Sequence, residues 1–555
     1  MESRRGLGRM HFTSKPHPYG VLPAGNRYFV KESETKGKRN ALLVRSLGLG
    51  PWFRRLSDEA LIELLSFLCG ESLASLSLAS SAFYIYAHHG ELWRDLTLKL
   101  SDGKVGIEYV NNWKDTFVQT YLRIGSKGGK FISHKPIRVE GIYSNLLYRS
   151  WACFACDLAS SCPGFYNTDI PRVSAKDLSI TQFIEEYESQ NKPVVITSAV
   201  EDWPALTKWT EENLIAMCGD RKMRATSATA PLSADFSAAE YFQYARQAKE
   251  EAPLYLFERN FAKIASSSNT DYTVPSYFSS SDVIGTDLFR LFGETRRPDH
   301  KWLIAGPARS GSIFHIDPNQ TNAWNVCIKG RKKWIFYPPG ISPPGVESST
   351  DGADVAVPIS TGEWMLSFWK FHMHERENPD ISKRPMEVIL EPGEVIFVPH
   401  NYWHMVVNLD DCIAITHNYV STSNLSDCLR FLRETPDQIS GVRDRKQNGA
   451  VQPETMYEEL LEHLHKLLGD EAVHRFVQAS QVPLLEASSD SAMTRVRKRT
   501  AEAVRIGKKQ SKKRKEEKEQ EKRKGKGEGE GEGVILDPPP KKPDFSFGFS
   551  FDDSI

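Results

Sequence analysis

The sequence predicts a mainly β domain, a sandwich or barrel flanked by helices, with a small all-helical module before it and disordered, charged ends. Three observations carry this expectation. Short β-branched and aromatic runs separated by Pro and Gly fill the middle of the chain, from Lys192-Pro193-Val194-Val195-Ile196 to Ile413-Ala414-Ile415-Thr416. Apolar residues recur at helical spacing between Leu56 and Leu98. Both ends lose apolar periodicity and become charge-rich. At 555 residues the chain is longer than one core usually supports, so more than one folded unit is expected.

Residues 1–50 carry ten Lys and Arg against three Glu and read as a disordered basic segment. Met1 to Met10 lacks the apolar core of a secretory signal, which predicts a reducing compartment and eight free thiols. No run of about 18 apolar residues is present, so a membrane-spanning helix is not expected. In 51–100, Ser57-Asp58-Glu59 makes a cap-and-acid helix start, and Leu61, Leu64, Leu65 and Leu68 follow at helical spacing. A second helix is predicted through Leu73, Leu76, Leu78 and Phe83, and a third ends in Glu91-Leu92-Trp93-Arg94-Asp95-Leu96. The stretch 56–98 resembles an F-box, which implies docking to a Skp-type adaptor of a cullin ubiquitin ligase; a helical cap on the neighbouring domain would show the same stripe. Residues 101–165 read as a linker. Cys153, Cys156 and Cys162 there fall short of the four ligands a closed zinc site needs and are expected as buried thiols.

After Asp169 the short strands begin, flanked by helices at Thr181–Glu188 and Thr210–Met217. Residues 426–484 place Leu429, Leu432, Leu460, Leu464, Leu467 and Leu468 at helical spacing, which predicts helices packed on the β domain or forming a homodimer. Residues 485–555 form a disordered low-complexity tail. Within it, 495–526 hold sixteen Lys and Arg against five Glu, and the spaced basic clusters of 495–515 look like a bipartite nuclear signal, which predicts nuclear residence. Salt-sensitive RNA contact through this tail is a further expectation. The end, Phe545-Ser546-Phe547-Gly548-Phe549-Ser550-Phe551-Asp552-Asp553, reads as a docking peptide. Because the whole chain has zero net charge, the region between the basic ends is acidic and favours a basic protein or peptide partner.

The chemistry centres on Phe314-His315-Ile316-Asp317. In a strand, residues i and i+2 share a face, so one imidazole and one carboxylate converge. About 90 residues later, after a Pro-Gly turn and an apolar strand at Glu391–Pro399, His404 is embedded among apolar residues and requires a partner. Two histidines and one carboxylate on one face of an octahedron are the donor set of non-haem iron(II) oxygenases. Lys332 alternates onto the same face as Trp334 and Phe336, an inward cation that requires an anion. The distal carboxylate of 2-oxoglutarate would serve, with the Thr416 hydroxyl adding a hydrogen bond.

These elements resemble the Jumonji-C domain, a double-stranded β-helix of the cupin (jelly-roll) class, across 166–425. Trp302-Leu303-Ile304-Ala305-Gly306-Pro307, Arg309-Ser310-Gly311, His315-Ile316-Asp317-Pro318, Ala323-Trp324-Asn325 and Ile413-Ala414-Ile415-Thr416-His417-Asn418 are similar to the phosphatidylserine-receptor-like arginine demethylase and lysyl hydroxylase branch. The resemblance implies that His315, Asp317 and His404 bind Fe(II), and that Lys332, Thr416, Asn325 and Tyr255 line the 2-oxoglutarate pocket. Asn418 and Trp302 would buttress ligands or shape the substrate entrance. It further implies a dioxygenase using Fe(II), 2-oxoglutarate and dioxygen, with no catalytic side chain beyond the metal ligands. Its substrate would be a protein, hydroxylated on lysyl side chains or demethylated at N-methyl arginine or lysine, in a histone or other basic nuclear protein. The competing reading is a catalytically idle F-box adaptor that uses the β domain only for binding. One departure, Ile313-Phe314 where this branch more often has a glycine, is expected to narrow the space beside the metal.

Overall fold

The computed structural model describes residues 16–23, 48–101, 106–122, 135–227, 233–265, 270–279, 287–349, 352–442 and 451–481. Residues 1–15, most of the remaining N-terminal segment, the 495–515 clusters and the Phe-rich end lie outside the described residues.

The helical module folds as four short helices: α1 (Asp58–Ser66), α2 (Gly70–Leu76), α3 (Ser81–Tyr86) and α4 (Gly90–Ser101). The Ser57 hydroxyl accepts from the Ala60 N–H and starts α1 as the sequence implies. The second helix expected through Leu73 and Phe83 is instead two. Ser80 caps a new helix by accepting from the Phe83 N–H, which breaks the apolar run and leaves Leu78 in the turn, 87% exposed. Trp93 closes this core: it is fully buried, and its indole N–H donates to the Ala87 carbonyl at 2.7 Å.

The stretch 101–165, expected as a linker, carries the helices Trp113–Phe117 and α5 (Asn145–Ala155), with Ile107, Tyr109, Trp113, Phe117, Ile142 and Leu147 buried. These residues belong to the same apolar cluster as Leu61, Leu73 and Trp93 of the module and Phe236, Tyr244 and Val326 of the β domain. Module and β domain therefore share one core. Cys156 and Cys162 pack in an apolar cluster beside Trp369 and Phe165.

The strands are β1 (Arg172–Ser174), β2 (Val194–Thr197), β3 (Met223–Thr226), β4 (Ser233–Phe236), β5 (Tyr255–Glu258), β6 (Lys301–Gly306), β7 (Gly311–His315), β8 (Asn322–Lys329), β9 (Lys332–Tyr337), β10 (Glu347–Ser348), β11 (Val355–Ala356), β12 (Met386–Leu390), β13 (Val395–Val398), β14 (Trp403–Asn408) and β15 (Cys412–Tyr419). A nine-stranded sheet runs β1-β2-β13-β8-β15-β6-β5-β3-β4, and a four-stranded antiparallel sheet runs β12-β9-β14-β7. The strands form two facing sheets rather than one ring closed by hydrogen bonds. β10 and β11 pair separately.

Alternation along each strand sorts residues to the two faces. In β8, Trp324, Val326 and Ile328 point to the core under the helices, whereas Ala323 and Cys327 join Trp334, Phe336 and Val406 between the sheets. In β9, Lys332, Trp334 and Phe336 are buried on the inner side, as their spacing implies. α6 (Ala238–Gln247) packs beside β4, and α7 (Thr361–Glu375) beside β7 and β14. Beyond β15, α8 (Leu425–Glu434), α9 (Met456–Leu468) and α10 (Asp470–Ala479) bury Leu429, Leu432, Leu460 and Leu464 against Val420, Leu288 and Phe292, so these side chains are covered within the chain. Leu467 stays 39% exposed. No described helix is long and apolar enough to cross a membrane.

Candidate metal centre

β7 and β14 pair so that His315 and His404 stand directly opposite each other. Their ring centroids are 4.2 Å apart. Asp317 follows two residues after His315; its Oδ1 lies 3.9 Å from His315 Nε2 and 3.8 Å from His404 Nε2. One ligand atom from each of the three falls within 4.8 Å of the others, and this is the metal-capable group of His, Cys, Asp and Glu found among the described residues.

Both rings are held the same way. His315 Nδ1 lies 2.8 Å from the Ile313 carbonyl and His404 Nδ1 lies 3.1 Å from the Tyr402 carbonyl, so each Nδ1–H donates to backbone and each Nε2 lone pair faces the centre. Burial first, and the adjacent His315 second, push the His404 imidazole well below its ordinary value and keep it in the neutral, ligating form. Burial raises the Asp317 carboxyl against the opposing effects of His315 and a hydrogen bond from Asn418. Asn418 also donates to Thr321 Oγ1 at 2.8 Å, which ties the ligand loop to β15. At Gly311 (φ 152°) a Cβ would sit 2.0 Å from the Val406 carbonyl oxygen, so the close approach of β7 to β14 that seats the histidines requires glycine there.

The cavity beside the triad, about 170 Å³, is also lined by Tyr255, Trp302, Asn325, Lys332, Trp334 and Thr416. Lys332 is 1% exposed, and its Nζ donates to the Tyr255 hydroxyl and to Asn408 Oδ1, both at 2.8 Å. Burial alone would depress the ammonium, yet Tyr255 and the Cys412 and Cys327 thiols hold it above the ordinary lysine value. The cation therefore sits at the pocket floor with only neutral hydrogen-bonding partners. Asn325 Oδ1 and Trp334 Nε1 are buried without a partner. The Thr416 hydroxyl donates to the Trp324 carbonyl at 2.9 Å.

The residues fit both groups the site implies. Two imidazoles and a carboxylate on one side suit Fe(II) and leave positions free; a buried cation and an unpartnered indole N–H suit a small dicarboxylate. The structure brings together all seven residues singled out from sequence, and adds three. Trp334 contributes its indole N–H, Asn408 holds the Lys332 ammonium, and Ser310 Oγ accepts from Asn408 Nδ2 at 2.9 Å. A polar residue closing the apolar run Met405–Val407 was the available signal for Asn408, which the structure pairs with Lys332 across β14 and β9. The expected narrowing by Ile313-Phe314 does not occur. Both side chains belong to the outer cluster, Phe314 packing on Trp364 with centroids 4.9 Å apart, and the pocket is lined instead by Ser312 and His315.

Residues 180–424 match the family described as a cupin-like domain. Arginine-specific demethylase JMJ22 of Arabidopsis thaliana is 37% identical over 441 residues, 79% of this chain and 80% of that protein. The chain belongs to the Jumonji-C family of cupin-like proteins. Bifunctional arginine demethylase and lysyl-hydroxylase psr-1 of Caenorhabditis elegans is 33% identical over 264 residues, 47% of this chain and 63% of that protein. 2-oxoglutarate and iron-dependent oxygenase JMJD4 of Homo sapiens is 33% identical over 183 residues, 31% of this chain and 39% of that protein. Membership and the intact ligand set together make the chain a 2-oxoglutarate-dependent dioxygenase rather than an idle adaptor.

Proposed function

We propose that this Jumonji-C dioxygenase acts on a basic protein, hydroxylating lysyl side chains or demethylating N-methyl arginine or lysine. The observation that carries the reading is the complete His315/Asp317/His404 set at the mouth of a pocket whose floor is a buried lysine with no carboxylate partner. When bound, Fe(II), 2-oxoglutarate and dioxygen supply an oxidant able to hydroxylate carbon, with succinate and carbon dioxide released. His315, Asp317 and His404 would hold the metal through atoms already oriented by Ile313, Tyr402 and Asn418. Lys332, positioned by Tyr255 and Asn408, would hold the distal carboxylate, and Trp334 and Asn325 would bond the cosubstrate. Trp302 and Phe257, stacked with centroids 5.3 Å apart, line the entrance and would orient the incoming side chain. Hydroxylation of an N-methyl carbon ends in loss of formaldehyde, whereas a hydroxyl on a lysyl methylene remains, so the position of the target carbon decides the product.

The same proposal includes the helical module as an adaptor-binding F-box, nuclear residence through 495–515 and RNA contact through the basic tail, each supported by sequence pattern, and self-association through the C-terminal helices, for which the exposed Leu467 is the apolar side chain of that pattern left uncovered. The decisive experiment incubates the full-length protein with Fe(II), ascorbate and 2-oxoglutarate and measures succinate against a His315→Ala/Asp317→Ala variant. Turnover abolished in the variant is the expected result. A wild type that neither turns over nor binds 2-oxoglutarate with Mn(II) in place of iron would refute the oxygenase.

A further inference from the structure

The turn Pro307-Ala308-Arg309-Ser310 carries the chain from β6 in the nine-stranded sheet to β7 in the four-stranded one. Arg309 takes φ 74° there, a left-handed conformation that suits glycine and strains a residue with a Cβ. An arginine at such a position needs interactions that offset the strain.

They run in two directions. Outward, the guanidinium caps the C-terminal end of α5: Nη1 donates to the Cys156 carbonyl at 2.9 Å, and Nη2 donates to the Cys153 carbonyl. The first turn of α7 closes over the same contact, where a Cβ at Gly362 would lie 3.1 Å from the Cys153 carbonyl oxygen and 3.3 Å from Arg309 Nη2. Inward, the Arg309 N–H donates to the Asn408 carbonyl and the Asn408 N–H to the Ser310 carbonyl, both at 2.8 Å. Ser310 Oγ takes a bond from Asn408 Nδ2 at 2.9 Å, which leaves Asn408 Oδ1 turned to the Lys332 ammonium at 2.8 Å. The turn also packs on the second partner of Lys332: a Cβ at Gly306 would lie 2.6 Å from Tyr255 Cδ2 and closer still to Ser310 Oγ. Both groups that hold the ammonium are thus seated against this turn.

We propose that Arg309 is a positioning residue for the cosubstrate. By tying the turn to the end of α5 it sets the Asn408 amide, and through that amide the Lys332 ammonium. Arg309 is not among the residues that line the metal pocket, so it acts through Ser310 and Asn408 and not by contact. Because α5 lies in the stretch 101–165, the region before the β domain contributes to cosubstrate affinity through this one side chain. The proposal rests on the reading of Lys332 as the anchor of the distal carboxylate of 2-oxoglutarate.

The test is calorimetric titration of 2-oxoglutarate into the full-length protein loaded with Mn(II). Arg309→Gly removes the guanidinium and accepts the turn's φ without strain. Its Kd for 2-oxoglutarate is expected to rise about tenfold, the loss of a charge-assisted hydrogen bond transmitted to the anchor, while Mn(II) affinity stays unchanged. Combined with Ser310→Ala, the two effects should be less than additive, because both act on Asn408. Arg309→Lys keeps the charge but lacks the fork that bonds two carbonyls, so it should weaken binding as glycine does, and it carries the same test if the glycine variant does not fold. An unchanged Kd whatever the unfolding midpoint, full additivity with Ser310→Ala, or an equal loss of Mn(II) affinity would each overturn the positioning role. Lys332→Met tells the two readings apart. If it abolishes binding while the Arg309 variants bind normally, only the positioning role fails; if it binds as the wild type does, the anchor itself is wrong and the proposal falls with it.

Discussion

At the scale of single residues the pocket is built from paired dependencies. Lys332 stays charged because Tyr255 and Asn408 hold its ammonium, and Asn408 is held in turn by Ser310. Trp334 differs in that its N–H has no partner, which is costly for a buried donor unless a ligand satisfies it. Trp334→Phe should therefore raise the KM for 2-oxoglutarate about tenfold, one hydrogen bond to a charged carboxylate of about 1.5 kcal/mol, and leave Mn(II) affinity unchanged. An unaltered KM would remove Trp334 from the cosubstrate site. His315, Asp317, His404 and Lys332 were legible in sequence because strand alternation and an apolar context make inward polar residues conspicuous. The Trp334 role was not, because an indole on an inward face reads as core until its nitrogen is seen without a partner.

At the scale of elements, the metal centre depends on how closely β7 and β14 approach. Their register shifts between His404 and Val406, and Gly311 permits the contact there. Gly311→Ala is expected to destabilise the fold by about 1 to 3 kcal/mol through backbone strain and to weaken Mn(II) binding by displacing His315. A variant with wild-type unfolding and metal affinity would show that the approach is not limiting. The loop carrying Asp317 is secured differently. Asn319, at φ 57°, donates to the Ser440 carbonyl at 3.1 Å and accepts from the Ser440 N–H at 3.0 Å, so the segment beyond α8 braces the ligand loop. The helical module shows the limit of periodicity: Leu78 continues the apolar stripe but lies exposed, because Ser80 offers the backbone an alternative bond that ends one helix and begins another.

At the scale of the whole molecule, the helical module is an integral part of the fold. Tyr109 packs edge-on against Tyr244 of α6 (Ala238–Gln247) with centroids 5.1 Å apart. Glu250 accepts from the Trp113 indole at 3.1 Å and the Tyr244 hydroxyl at 2.5 Å, and pairs with Arg94 at 3.5 Å. A chain lacking residues 1–165 should lose soluble expression or cooperative unfolding, since it would expose this junction; a well-folded, active truncation would contradict the shared core. The module also carries a pH dependence. His88 accepts from the Lys114 ammonium at 2.6 Å, and burial first, then Lys114, lower its imidazole from 6.5 to about 4. The folded state thus binds this proton less readily than the unfolded chain. The stabilisation is complete above about pH 6.5 and is lost as pH falls toward about 4. The difference in unfolding midpoint between wild type and His88→Gln should shrink across that window, and a constant difference would assign the effect elsewhere.

The sequence by itself determined the β class of the central domain, the three residues of its candidate metal centre and the inward lysine, because each is written in local alternation and in residue types that have few other reasons to be buried. It could not determine that the module and the β domain share one core, since Tyr109 and Tyr244 are 135 positions apart and aromatic residues in amphipathic segments carry no record of their partners. Nor could it place the cavities that adjoin the metal pocket at Pro318, where the loop carrying Asp317, β5 and the turn after α8 converge. Local periodicity reports which side of an element is buried; what it is buried against is decided by tertiary packing.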